Sequence, residues 1–174
     1  MKKGFLLFIT FIFFYSISCK KKERKKECQP FYEYDKIEWY SYKRNLDSIP
    51  PDLKDNAFLV GVFQGSIFTK IKDSDKLALL SSDDFNKSIV PISKYDQLNK
   101  LFCYNENLGV EGIATACLPF YNDILIFKKE SKIIGIAKIC FKCQQSTFTE
   151  SSTNTNAFGA FEEIIKLEKI VYSK

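Results

Sequence analysis

The sequence predicts an α+β fold: a mainly antiparallel sheet with at least two packed helices, one of them amphipathic and C-terminal. Three patterns carry this expectation. Two apolar, β-prone runs, Phe120–Phe127 and Lys132–Cys143, flank Lys128-Lys129-Glu130-Ser131 and read as a hairpin. Tyr95, Leu98, Leu101 and Phe102 have helical spacing. Phe158, Phe161, Ile164, Ile165 and Val171 recur at three- and four-residue steps, which makes the last helix amphipathic.

In chain order, Lys36–Lys43 is aromatic and β-prone through Ile37, Trp39 and Tyr40 to Tyr42, and reads as a strand. Arg44–Asn56 holds Pro50-Pro51 and is expected to be a loop. Ala57–Lys72 is rich in Val, Ile and Phe but carries Gly61 and Gly65, which suggests one bent strand or two strands around a bulge near Gln64-Gly65. From Asp73 to Asn107 the chain is more polar, with Leu77, Leu79 and Leu80 ahead of the helix at Tyr95, for which Ser93 is the expected cap. Gln144–Asn156 is a Ser/Thr/Asn-rich loop. Asn156 is the expected cap of the C-terminal helix, with Glu162 and Glu163 in its first half.

The first 18 residues differ from the rest. Lys2 and Lys3 precede Gly4–Ile17, an uncharged stretch with five phenylalanines, the profile of a secretory signal. Its apolar run is shorter than the roughly 20 residues that a spanning helix needs. Ser16-Ile17-Ser18 then runs into Cys19, which resembles a lipobox: a small residue precedes a cysteine that is acylated, although Ser16 stands where leucine is usual. Residues 1–18 are expected to be removed, residues 19–29 to be a lipidated cysteine and a flexible tether, and residues 30–174 to be a single domain. The tether is strongly basic, from Lys20 to Glu27, and has no apolar residue. Without it and the signal segment, residues 28–174 hold 18 basic and 19 acidic side chains, so the basic balance belongs to the tether. That argues against a nucleic-acid partner, which needs a basic face on the domain. It favours a membrane surface, where each lysine beside an acyl anchor adds about 1 kcal/mol.

The composition excludes several chemistries. The chain has no histidine, so Ser-His-Asp and Cys-His nucleophilic sites and His-ligated metal are ruled out. Neither Gly-x-Gly-x-x-Gly nor a Walker pattern occurs among the seven glycines. The adjacent acids Asp83-Asp84 and Glu162-Glu163 point apart on any regular element and read as solvated. No catalytic constellation emerges, and no cofactor beyond a covalent lipid on Cys19 is expected.

Cysteine is the informative reactive residue. Cys103, Cys117, Cys140 and Cys143 could form two disulfides in an oxidising compartment, with three pairings open and Cys28 left free or intermolecular. Hairpin geometry favours Cys117 with Cys143: a turn centred on Glu130 makes paired positions sum to 260. The four thiols brought together would instead suit zinc or Cu(I). Cys140-Phe141-Lys142-Cys143 has thioredoxin spacing but ends a strand, without the helix N-terminus that activates such a thiol. The aromatic segment Phe31, Tyr32, Tyr34, Trp39, Tyr40 and Tyr42 is read as core or sheet-face packing in preference to a stacking platform for a sugar or peptide.

Cys117-Leu118-Pro119, Asp123-Ile124-Leu125-Ile126-Phe127 and Ile139-Cys140-Phe141-Lys142-Cys143 resemble a pattern in small uncharacterised bacteroidete-type lipoproteins: Cys-x-Pro, a hydrophobic hairpin and Ile-Cys-Phe-x-Cys before a final helix. The resemblance covers about residues 93–171 and implies no activity. Such proteins often begin with a similar Ser-Cys-Lys tether. The expectation is therefore a lipoprotein of the cell envelope, facing the periplasm from the outer membrane. It would serve as a non-catalytic binding or structural module for an unidentified protein or small molecule, with thiol redox or metal chemistry at the cysteine cluster as the alternative.

Overall fold

The computed structural model describes residues 28–44, 48–80, 83–104, 117–156, 158–159 and 162–173. The expected signal segment (residues 1–18), Cys19 and residues 20–27 of the expected basic tether lie outside them. Among the described residues, seven strands and three α-helices follow in chain order: β1 (Gln29–Pro30), β2 (Lys36–Tyr42), α1 (Ala57–Phe63), β3 (Phe85–Ile89), α2 (Tyr95–Leu101), β4 (Cys103–Tyr104), β5 (Asp123–Lys129), β6 (Lys132–Cys140), β7 (Gln145–Phe148) and α3 (Glu163–Tyr172). Five strands form one fully antiparallel sheet in the order β3-β2-β5-β6-β7, and β1 pairs with β4 in a separate two-stranded ribbon. The fold is α+β, as the sequence predicts.

The sheet is covered on both faces, and side-chain alternation divides the core accordingly. One face presents Ile37, Leu125, Phe127, Ala137 and Ile139 to Leu98 of α2, to Phe102, and to Ile164, Leu167 and Val171 of α3. The opposite face presents Tyr40, Tyr42, Ile124, Ile126 and Ile136 to Leu59, Val62 and Phe63 of α1, and to Phe68. Ile124 to Phe127 are therefore all buried. A strand covered on two sides reads as a continuous apolar run, without alternation.

The β5–β6 hairpin turns through Glu130 and Ser131, both at positive φ, and Asp35 Oδ2 accepts the Glu130 amide at 2.7 Å. This is the two-residue turn whose twist suits a hairpin. A bulge between Phe127 and Lys128 shifts the register, so Lys129 faces Lys132 while Phe127 faces Gly135. Gly135 lies under the ring of Tyr32, where a β-carbon would come within 2.3 Å of Cε1. Tyr32 in turn donates to the Thr149 carbonyl at 2.5 Å.

Four expectations require correction. Ala57–Lys72 is not a bent strand: Asn56 Oδ1 accepts the Leu59 amide at 3.1 Å and caps α1, and Gly65 at φ +81° follows its last turn. Leu59, Val62 and Phe63 share the buried side at helical spacing, which overrides their β-prone composition. Ser93 does not cap α2; it lies in a 3-10 turn, Ile92–Lys94, that leads into the helix. Asn156 does not cap α3, which begins at Glu163. Gln145–Phe148 is the edge strand β7 and not part of a loop; β3, a second edge strand, lies in the stretch read only as more polar.

Charged groups are built into the sheet. Lys138, almost fully buried on β6, donates to the carbonyls of Gly65 (2.6 Å) and Ile67 (2.8 Å), tying β6 to the turn after α1. Burial pushes its ammonium down to about 8. Glu38 on β2 pairs with Lys128 (2.7 Å), Lys36 (3.0 Å) and Lys87 (3.3 Å). Burial alone would raise its carboxyl, but hydrogen bonds from the three lysines hold it at about 2.

Candidate functional site

A cavity of about 610 Å³ opens between α2, α3 and β4. Phe31, Leu101, Phe158 and Ile170 supply its apolar walls. Lys100 from α2 and Lys166 and Lys169 from α3 stand at it, with Glu163 as the opposing acid. Lys166 also pairs with Glu162 at 3.4 Å. The helices that form the walls are clamped: Lys94 Nζ donates to the carbonyls of Ile170 (2.7 Å) and Ser173 (2.6 Å), placing a cation on the C-terminal end of α3. Cys103, at the cavity's edge, is joined to Cys28, so Cys28 lies beside this cavity.

A second, larger cleft of about 990 Å³ lies at the end of β6 and the start of β5. Its lining includes Arg44, Asp123, Glu168 and Tyr172, and also Cys117, Cys140 and Cys143. Asp123 is only 4% exposed and accepts from Trp39 Nε1 at 2.8 Å and Tyr172 Oη at 3.0 Å. The Trp39 and Tyr172 rings meet edge to face at 4.6 Å. Burial pushes the Asp123 carboxyl up to about 6, with nearby Glu168 adding to the shift and the two donors opposing it.

This carboxyl gives the protein a defined acid response. The folded chain holds the Asp123 proton more tightly than the unfolded chain, so its contribution to stability grows on acidification. The penalty is complete at pH 7, declines as pH falls through 6, and is gone below about 4. Asp123→Asn keeps the oxygen that both donors use. It is expected to raise stability at pH 7 and to remove a gain of about 1 kcal/mol that the native chain shows between pH 7 and pH 5. Urea unfolding of both proteins at the two pH values measures this. Glu38 does not interfere, because its contribution is lost only as pH falls from the ordinary carboxylate range toward 2.

The predicted cysteine residues are separated by the fold. Cys117 and Cys143 are bonded, with their Cα atoms 5.6 Å apart. Cys103 is bonded to Cys28, so Cys28 is neither free nor intermolecular; the β1–β4 ribbon, which pairs Pro30 with Cys103, brings the two together. Cys140 is a buried free thiol. Cys103 thus belongs to the ribbon and the other three to the end of β6. Among the described residues no group of three or more His, Cys, Asp or Glu side chains is placed to hold a metal ion. Cys19 lies outside the described residues.

The aromatic N-terminal segment packs inward. Phe31 and Tyr32 are buried, Tyr34 meets Tyr95 and Phe127, and Tyr42 meets Phe63 and Phe85. Sequence reasoning missed Asp123 as a buried acid and the three lysines around the smaller cavity. Lys166 and Lys169 sit one turn apart on a recognisable helix, but only the packing of α2 on α3 adds Lys100 to them.

No protein-family model matches the chain. No match is found among curated proteins or among solved structures.

Proposed function

We propose that the protein is a cell-envelope lipoprotein, held to a membrane by acylated Cys19 and facing the periplasm, whose folded part is a non-catalytic binding module for an anionic amphiphile. The observation that carries the binding reading is the cavity between α2 and α3, with its apolar walls and Lys100, Lys166 and Lys169 at its rim. Apolar walls with a few convergent charged groups suit a ligand with an apolar body and an acidic head. Four of the six cysteines are in disulfides, which fits an oxidising compartment. No helix among the described residues is long and apolar enough to cross a membrane. From Cys19 to Cys28 the chain reaches at most about 30 Å when fully extended, which keeps the Cys28–Cys103 end, and the cavity beside it, close to the bilayer.

Two measurements test the two halves of this reading. Cys19→Ala is expected to release the protein from the membrane fraction and to abolish incorporation of labelled palmitate; retention of both would overturn the anchor. For the ligand, calorimetric titration of a secreted form lacking residues 1–19 with dodecanoate is expected to show saturable binding, weakened at least tenfold by Lys100→Glu with Lys169→Glu. Tenfold corresponds to about 1.4 kcal/mol, the scale expected for reversing two rim charges. Absence of binding, or binding indifferent to the reversal, would count against the cavity.

A further inference from the structure

Three cysteines gather where β6 ends. Cys143 is bonded to Cys117, while Cys140 is a free thiol buried in one cluster with Cys143 and Tyr121. Residues 141–144 form a turn, so Cys143 is not a strand residue facing away from Cys140. Instead the Cys143 amide donates to Cys140 Sγ over 3.4 Å. The free thiol is thus held against the residue whose sulfur is already in a disulfide, at the Cys-x-x-Cys spacing that a short ring can close.

We propose that Cys140, Cys143 and Cys117 form an internal thiol–disulfide exchange switch, in which Cys140 displaces Cys117 from Cys143. The Cys140 thiol loses its proton to solvent and its thiolate attacks Cys143 Sγ. The Cys140–Cys143 bond forms as the Cys117–Cys143 bond breaks, and Cys117 departs as a thiolate that takes up a proton. One disulfide and one thiol stand on each side of the step, so it consumes neither oxidant nor reductant. The Cys143 amide is in place to donate to the attacking sulfur. Cys117 is exposed, so the departing thiolate is met by water. Exchange removes the covalent link between Cys117 and the end of β6. It also replaces a buried thiol, Cys140, with an exposed one, Cys117, on the wall of the cleft that holds Arg44, Asp123 and Tyr172.

The test is time-resolved trapping on the full-length lipidated protein, purified without reductant and incubated natively at pH 8 with excess N-ethylmaleimide. Unreduced tryptic peptides are then mapped by mass spectrometry. Trypsin cuts after Lys142, so Cys140 and Cys143 fall on different peptides and their bond is read directly as a linked pair. The expected result is label accumulating on Cys117 together with the Cys140–Cys143 linked pair, and at least a tenfold loss of that label in Cys140→Ser. Cys140→Ala serves as a second variant because a hydroxyl in this buried position could disturb packing. Label on Cys140 with the Cys117–Cys143 pair intact would overturn the proposal. So would Cys117 label that persists in both variants, or no Cys117 label after a day.

Discussion

Replacing Cys28 and Cys103 together by alanine is expected to lower the unfolding free energy by roughly 4 kcal/mol. The bridge spans 75 residues, the longer of the two loops closed by disulfides among the described residues. Its removal therefore returns the most freedom to the unfolded chain. The native side of the balance is weak at this point: the β1–β4 ribbon has only two paired positions on each strand, too few to persist unaided. Next to it, the Phe31 amide bonds to the Phe102 carbonyl (2.9 Å) and the Ser152 amide to the Phe31 carbonyl (3.0 Å), so loosening the ribbon reaches the loop before α3. Urea unfolding should show a lower midpoint and a steeper dependence on denaturant, because the uncrosslinked chain exposes more surface. An unchanged midpoint would mean that the bridge contributes no stability. Both cysteines are replaced because a single substitution would leave a thiol able to attack the Cys117–Cys143 bond.

Phe102→Ala is expected to cost roughly 3–5 kcal/mol. Phe102 is 1% exposed and sits between the end of α2 and β4. Its ring lies 5.2 Å from that of Phe127 on the sheet, 5.6 Å from Phe158 and 6.1 Å from Phe148, centroid to centroid. Removing it opens a void that the surrounding rings cannot fill without abandoning one another. Phe102→Leu should recover much of the loss by restoring volume. Because Phe102 is bonded to Cys103 and contacts Phe31, its cost should not simply add to that of the disulfide; a double-mutant cycle measures the coupling. A cost under about 1 kcal/mol would place the stability of this face elsewhere.

The hairpin was legible because a charged turn separates two apolar runs, yet its register was not. The bulge after Phe127 makes paired positions sum to 262 beyond it, where a turn centred on Glu130 implies 260. The Cys117–Cys143 pair forms even so, because β5 begins only at Asp123 and the segment before it reaches Cys143 outside the ladder. Periodicity revealed α2 and most of α3, but placed the start of α3 too early: Phe158 is part of the same core without being helical. In α1 the Val, Phe and glycine content outweighed the two signals that decided the outcome, Asn56 at one end and Gly65 at the other.

Edge strands and sites were hidden for related reasons. Phe85–Ile89 buries only Phe85, and Gln145–Phe148 is polar, so neither carries the alternation that marks a strand with one covered face. A pattern along the chain cannot show that Asp123 will be sealed by Trp39 and Tyr172, which come from segments 84 and 49 residues away. The pairing of Cys28 with Cys103 likewise depends on a ribbon of two very short strands.

The outer margins of the sheet also govern how copies of this protein behave at high concentration. An unpaired strand edge is a template for a strand from another molecule, and a chain with 17 phenylalanines has much to lose from such stacking. Here one margin is β3, where Asn86, Lys87 and Ser88 are exposed and Lys87 is held by Glu38 and the Tyr40 ring. The other is β7, only four residues long. A charge fixed on one border and brevity at the other leave little for an incoming strand to extend, so concentration can rise without driving the sheets to polymerise.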